Sequence, residues 1–256
     1  MKAISQRERL MLAGLFLSKF DRDGLRHLGF SSFSEAFNAM GYALGGKPTS
    51  IKNYMQEFDP LFPNNRKGWH KREMRDHCRE AFERFGKLPL DEFSRLLSPL
   101  ILPTAQPLPE GLEEIAALEE SQFENESFSK RLITGAAAEG FFESMFPKLS
   151  DFIGHSITNV TRFGCGFDFR LQPAESRPFL AVEVKGIAAA SGEIMMTSKE
   201  HQVAEYLGNR YFLCIVRNFT ESPVISLFQN PLDQGLGFIR RERQQTSLSW
   251  HARIPA

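Results

Sequence analysis

The stretch GFDFRLQPAESRPFLAVEVKG, residues 166–186, decides the fold of the C-terminal half of the chain. Residues 166–171 and 179–185 favour β-strands, and the sequence QPAESRP between them has the proline and polar residues of a turn. This stretch therefore predicts a β-hairpin. Around it, the sequence predicts a helix at 135–149, a strand at 155–163, a helix at 198–208 with Ser198 as its N-cap, and strands at 211–219 and 224–228.

The order of these elements, α-β-β-β-α-β-β, predicts an α/β domain around a small mixed central sheet. Residues 1–98 instead show apolar residues at helical spacing throughout. One predicted helix follows Ser31-Ser32 and ends at Gly45-Gly46, and the next begins at Pro48 or Thr49. Two helices joined by a glycine-containing turn are typical of a helix-turn-helix. The expected fold class is therefore α+β.

Three charged residues of the hairpin carry the chemistry. Asp168 lies on one predicted strand, and Glu183 and Lys185 lie two residues apart on the other, so these two project from one face. Two close carboxylates favour a divalent cation, and Mg²⁺ binds one or two carboxylates together with water and phosphate oxygens. The lysine could orient the attacking water and stabilise charge in the transition state. The alternative is an edge strand whose Glu-x-Lys pair faces solvent.

This pattern resembles the PD-(D/E)xK nuclease superfamily, which has the restriction-endonuclease-like fold. The resemblance implies that Asp168 and Glu183 are catalytic metal ligands and that Lys185 is the catalytic lysine. It also implies a catalytic role for Glu139, an acid on the first helix, which would support a second metal or orient Lys185.

This superfamily resemblance covers about residues 131–229, and a narrower resemblance lies within it, in three stretches of residues 166–218. The sequences GFD, FLAVEVKG and GEIMMTSKEHQVAEYLGNRYFLCIVRN are similar to the nuclease-type domain at the C-terminus of the plant NO VEIN proteins and in many bacterial restriction proteins. In that family the Glu-x-Lys-Gly strand is followed by a small-residue loop, a Thr, a helix and a Gly-x-x-Tyr strand. The matching positions here are Thr197, Glu200, Gly208 and Tyr211.

The helix at 198–208 adds one further catalytic candidate. Gln202 and Tyr206 form Gln-x-x-x-Tyr, which is similar to a motif of RecB-like nucleases. Residues i and i+4 share a helix face, so both side chains could point at the site. An ordinary solvated helix surface explains the pair equally well, and it is the favoured interpretation of Glu200 and His201.

Basic charge is concentrated in the N-terminal part. Residues 1–100 carry 17 Lys and Arg against 12 Asp and Glu, although the whole chain is neutral, with 31 of each sign. Lysine and arginine neutralise phosphates, asparagine reads adenine, and aromatic residues stack on bases. A solvated helix face is the alternative for any one residue. The predicted DNA-binding residues are Ser50, Lys52, Asn53, Arg66, Lys67, Trp69, Lys71 and Arg72.

Residues 99–130 predict a connector. Four prolines, the first of them Pro99, favour an extended run, and seven glutamates with one lysine favour a solvated helix after it. We therefore expect a helical DNA-binding domain at 1–98, a linker at 99–130 and a PD-(D/E)xK nuclease domain at 131–256.

The cysteines and apolar runs exclude several other classes of protein. Three widely spaced cysteines argue against a zinc site or a disulfide scaffold and favour a reducing compartment. The chain shows neither a signal peptide nor an apolar run of membrane-spanning length. We expect a cytoplasmic protein that does not bind membranes.

Together these patterns predict a type II restriction endonuclease that cuts double-stranded DNA with Mg²⁺. Residues 30–72 also resemble the N-terminal region of some bacterial type II restriction enzymes. Enzymes that cut both strands of a palindrome are usually two-fold symmetric, so a homodimer is expected. The alternatives are a modification-dependent or repair nuclease, and a non-catalytic DNA-binding regulator.

Overall fold

The computed structural model describes residues 4–69, 71–101, 126–175, 177–233, 235–241 and 252. Over these ranges the fold has seven α-helices and one five-stranded sheet, which confirms the α+β class. The helices are α1 Gln6–His27, α2 Phe33–Ala43, α3 Pro48–Phe58, α4 Asp76–Phe85, α5 Leu90–Ile101, α6 Glu126–Met145 and α7 Ser198–Leu207. The strands are β1 His155–Asn159, β2 Phe169–Pro173, β3 Leu180–Ile187, β4 Tyr211–Arg217 and β5 Val224–Gln229.

The N-terminal part is helical, as predicted, and local signals set its helix ends. The hydroxyl of Ser32 accepts a hydrogen bond from the backbone N–H of Glu35 and caps α2. Gly45 turns the chain after α2 with a φ of 67°, which glycine adopts without strain. Pro48 opens α3, where a missing N–H costs nothing. None of the helices in the described ranges is long and apolar enough to cross a membrane.

The sheet follows the order β1-β2-β3-β4-β5. All neighbouring strands are antiparallel except β3 and β4, which are parallel and are connected through α7. A parallel pair needs such a crossover, whereas β2 and β3 can form the predicted hairpin. The small mixed sheet is therefore confirmed, and β3 lies at its centre.

The two faces of the sheet pack against different helices. Val182 and Phe212 project toward the main core, which includes α6 and the N-terminal helices. Ala181 and Tyr211 project to the other face and pack with Ala204 of α7. Because side chains alternate along a strand, Glu183 and Lys185 lie on the α7 side with Ala181. The predicted projection of these two residues from one face is confirmed.

The helical part and the sheet part are packed together through α2 and α6. A Cβ on Gly140 would lie 2.2 Å from the carbonyl oxygen of Tyr42, so only glycine permits this close approach. The ring of Tyr42 meets Phe141 at a centroid distance of 4.8 Å. Asn38 donates a hydrogen bond of 2.8 Å to the carbonyl of Phe219. The division into separate domains stays a prediction, and any such domains share this interface.

Several predicted boundaries need correction. Strand β1 ends at Asn159 rather than at 163, because the Asn159 side chain accepts from the N–H of Thr161 and turns the chain into a 3₁₀ segment. Helix α6 begins at Glu126, well before 135, since Gly135 lies inside a continuous helix. It ends at Met145, and a short 3₁₀ turn follows.

Two further corrections concern caps and prolines. The N-cap of α7 is Thr197, not Ser198, because the Thr197 hydroxyl accepts from the N–H of Glu200. Pro99 does not end α5 but lies inside it, and the helix is described as far as Ile101, because the fixed φ of proline, about −65°, is itself compatible with a helix. The expected extended run and acidic helix of the linker fall mainly at 102–125, outside the described residues.

Candidate active site

The predicted acids meet at the centre of the sheet. Phe169 of β2 lies opposite Val182 of β3, and one further step in this antiparallel register brings Asp168 opposite Glu183. The N–H of Asp168 donates to the carbonyl of Val182 at 3.0 Å. Its Oδ2 accepts from the N–H of Val184 at 2.9 Å. The carboxylate is therefore held against β3 at a fixed position.

The loop that carries Asp168 is held in place by a hydrogen bond from a buried tyrosine. Tyr211, at the start of β4, is fully buried, and its hydroxyl donates to the carbonyl of Gly166 at 3.0 Å. Val160 also donates its N–H to the carbonyl of Asp168 at 2.7 Å. These bonds tie the segment before β2 to two neighbouring elements.

Lys185 lies between two carboxylates. Its Nζ is 2.6 Å from Oε1 of Glu183 and 2.7 Å from Oε2 of Glu200. Glu200 comes from the first turn of α7, where its side chain also accepts from the N–H of Thr197 at 3.0 Å. The lysine side chain is mostly buried. Because its ammonium group contacts both acids, they fix the direction of the flexible side chain.

Glu139 reaches the cluster from α6 through a threonine. The hydroxyl of Thr161 lies 3.2 Å from Oε2 of Glu139 and 3.3 Å from Oδ1 of Asp168. Glu139 is thus linked to the first acid, whereas the described contacts of Lys185 go to Glu183 and Glu200. Glu139 was expected either to support a second metal or to orient Lys185. The structure links it to Asp168 and shows no contact between Glu139 and Lys185 among the described residues.

Burial perturbs the protonation of the whole cluster. Burial, assisted by the charge of Asp168, raises the pKa of Glu183 to about 8 and that of Glu139 to about 7. Burial also raises the pKa of Asp168. Burial alone would lower the pKa of Lys185, but the carboxylates of Glu183 and Glu200 hold it above its ordinary value. The acids therefore lack sufficient positive charge around them.

A divalent cation suits this deficit. Among the described residues, no three His, Cys, Asp or Glu side chains form a ready-made metal cage. Mg²⁺ needs only one or two carboxylates, because water and phosphate oxygens fill its remaining positions. Glu183 is buried and Asp168 is half-buried. The two side chains face each other across β2 and β3, and both become easier to ionise beside a cation. The donor set fits Mg²⁺.

Gln202 is not brought into the cluster. At about 100° per residue it lies roughly 200° around α7 from Glu200, on the exposed face. Tyr206 shares that face and is 83% exposed. The site-facing side of α7 carries Glu200, Val203 and Ala204 instead, of which Val203 approaches Gly166 and Ala204 packs under the sheet.

The predicted DNA-binding residues fall into an exposed group and an engaged group. Lys52, Asn53, Lys67 and Lys71 are exposed, and Ser50 and Trp69 are half-buried. Arg66 is engaged: its Nε donates to Asp59 at 3.0 Å, it pairs with Asp21, and it lies over the ring of Phe33. Its side chain ties the loop after α3 to α1 rather than projecting freely.

Arg72 is partly engaged as well. Its guanidinium lies 4.1 Å from the centroid of the Trp69 ring and 3.3 Å from the carboxylate of Glu57. Glu57 is buried and also accepts hydrogen bonds from the backbone and side chain of Arg75. This buried acid organises the basic loop, and its pKa is lowered because Arg75 outweighs the effect of burial.

Two residues of the cluster were missed or set aside by sequence reasoning. The sequence favours ordinary helix surface for Glu200, although Thr197-x-x-Glu200 has the spacing of a capping box, which fixes a glutamate at the first turn of a helix. Thr161 gave no signal, because its link between Glu139 and Asp168 depends on the turn after β1.

Comparison with known families supports a nuclease-related domain in the C-terminal part of the chain. Residues 137–228 match the family model described as Protein NO VEIN, C-terminal. This is a nuclease-related family of the PD-(D/E)xK-like type, and the match runs from α6 to the end of β5. It includes every member of the cluster described above. No curated protein and no solved structure matched the chain.

Proposed function

We propose that this protein is a type II restriction endonuclease, which hydrolyses phosphodiester bonds at specific sites in double-stranded DNA with Mg²⁺. The observation that carries the proposal is the juxtaposition of Asp168, Glu183 and Lys185 on neighbouring central strands. A solvent-facing edge strand, the alternative for Glu-x-Lys, does not fit, because Glu183 is only 5% exposed and β3 has neighbours on both sides.

Each residue of the cluster has a defined task in this proposal. Asp168 and Glu183 would hold the cation, which when bound supplies an acidified water and positive charge beside the scissile phosphate. Lys185 directs its ammonium group to the cluster, where it orients the nucleophilic water and stabilises charge on the phosphoryl oxygens. Glu139 and Thr161 keep the Asp168 carboxylate in place.

The exposed basic residues of the N-terminal part supply the contact with DNA in this proposal. Lys52 and Asn53 lie on the solvent side of α3, and Lys67 and Lys71 lie on the loop after it. Lysines there would neutralise phosphates, while Asn53 has the donor and acceptor needed to read adenine. Arg66 and Arg72 would act through the shape of the loop, because both are held by buried acids.

The remaining parts of the proposal concern the assembly and its setting. We propose a homodimer, since two-fold symmetry places one active site on each strand of a palindrome. Light scattering on the purified protein in solution should give twice the chain mass. The biological role would be defence of a cytoplasm against foreign DNA.

Digestion of unmethylated phage DNA tests the proposal. Discrete bands that appear with Mg²⁺ and vanish with EDTA are the expected result, and sequencing of the ends would give the recognition site. A Mg²⁺-dependent smear would indicate a nonspecific or repair nuclease instead. If unmethylated DNA stays intact and methylated DNA is cut, the protein is a modification-dependent enzyme. Binding without cleavage on either DNA would favour a regulator.

A further inference from the structure

We infer that Glu200 is a positioning residue, which holds the ammonium group of Lys185 at the cluster independently of Glu183. Its catalytic meaning rests on the proposed nuclease function, but the contact itself does not. Oε2 of Glu200 is 2.7 Å from Nζ of Lys185, in a setting where both side chains are largely buried. A hydrogen bond between ionised groups at this distance is strong and directional.

The two carboxylates that contact Lys185 differ in their other binding partners. Glu183 is a proposed metal ligand, and a carboxylate that turns toward a cation is drawn away from the lysine. Glu200 comes from α7 rather than from the hairpin, and its other hydrogen bonds go to Thr197. Glu200 is therefore the partner that can keep hold of Lys185 when Glu183 is engaged.

The backbone of α7 makes Glu200 a rigid support. The N–H of Thr197 donates to Oε2 of Glu200 at 3.0 Å, and the N–H of Glu200 donates to the Thr197 hydroxyl at 3.2 Å. This reciprocal capping box fixes the side chain at the first turn. The helix dipole also favours a carboxylate there.

A fixed carboxylate matters because a lysine side chain has four carbon atoms and many rotamers. Without Glu200, the ammonium group of Lys185 could leave the position from which it reaches the attacking water. Misplacement by about 1 Å can cost on the order of 100-fold in rate. We therefore expect Glu200→Gln to slow single-turnover cleavage about 10- to 100-fold.

Nuclear magnetic resonance of lysine NH₃⁺ groups tests the contact without any nuclease assay. A buried, ion-paired ammonium exchanges slowly with water and gives a ¹H–¹⁵N signal, which Lys185→Arg would assign. We expect the signal to survive in Glu183→Gln and to disappear in Glu183→Gln combined with Glu200→Gln. The signal persisting in the double variant would overturn the inference.

A cap variant controls for helix disruption. Thr197→Ala removes the other half of the capping box but leaves the Glu200 carboxylate, so on the Glu183→Gln background the Lys185 signal should remain. Its loss there would mean that the start of the helix, and not the carboxylate, holds the lysine. That result would also overturn the inference.

Calorimetric titration with Mn²⁺ separates positioning from metal ligation. In Glu200→Gln the Mn²⁺ affinity should stay within about twofold of wild type, while cleavage slows. A fall in Mn²⁺ affinity that matches the fall in rate would make Glu200 a ligand and overturn the positioning role. If the wild-type protein does not cleave DNA at all, the proposed function fails, and the resonance comparison still decides what holds Lys185.

Discussion

The buried acid Glu183 should destabilise the metal-free protein at neutral pH, and Glu183→Gln should relieve this cost. Burial raises its pKa from about 4.5 to about 8. A group with a raised folded-state pKa stabilises the fold fully below its unfolded pKa and loses that contribution as the pH rises through the folded value. Wild-type stability should therefore fall between about pH 4.5 and pH 8.

The size of the effect follows from linkage. Each pKa unit corresponds to about 1.4 kcal/mol, and between pH 5 and pH 7 the shift removes about 2–3 kcal/mol from the free energy of unfolding. Glutamine cannot ionise, so its profile lacks this loss. It keeps an amide oxygen for Lys185, which also retains its partner Glu200.

Chemical denaturation in EDTA at pH 5, 6 and 7 measures this difference. The gap in unfolding free energy between Glu183→Gln and wild type should grow by about 2–3 kcal/mol from pH 5 to pH 7. Glu205→Gln, which removes an exposed acid on α7, should show no such growth. Parallel profiles for wild type and Glu183→Gln would refute the claim that this acid is buried without enough counter-charge.

Three other variants test the catalytic lysine, the DNA contact and the packing of α2 against α6. Lys185→Ala should lower the single-turnover cleavage rate about 10²- to 10³-fold with an unchanged DNA dissociation constant; wild-type cleavage would remove the lysine from the mechanism. Lys67→Ala should weaken DNA binding and reduce the salt dependence by about one phosphate contact, so an unchanged slope in fluorescence anisotropy would place this lysine off the DNA. Gly140→Ala should destabilise the protein by about 1–3 kcal/mol because its Cβ meets the Tyr42 carbonyl, whereas Gly135→Ala, with open space around it, should not; equal melting temperatures would contradict the close packing of α2 and α6.

The hairpin was predictable because its signals are local. The turn residues separate two strands, and the alternation of side chains places Glu183 and Lys185 on one face whatever the rest of the chain does. The antiparallel register then brings Asp168 opposite Glu183. The helical character of the N-terminal part was predictable for the same reason, since spacing, caps and Pro48 act over a few residues.

The contacts that complete the site depend on packing between distant elements. Glu200 reaches Lys185 only because α7 docks beneath β3 and β4, and the docking also turns Gln202 to solvent. Thr161 links two acids because the chain bends after β1. Arg66 looked available for DNA, but Asp21 and Asp59 come from other elements and hold it. None of these is encoded in a local pattern.

Metal-dependent cleavage by Asp168 and Glu183 is tested by comparing wild type with Asp168→Asn on the same supercoiled and phage DNA, each with Mg²⁺ and with EDTA. Asparagine keeps an oxygen to accept from the N–H of Val184, so the fold should survive. We expect Mg²⁺-dependent cleavage by the wild type and none by Asp168→Asn, with equal DNA binding. Cleavage by Asp168→Asn at the wild-type rate, or wild-type cleavage that EDTA does not stop, would contradict this expectation.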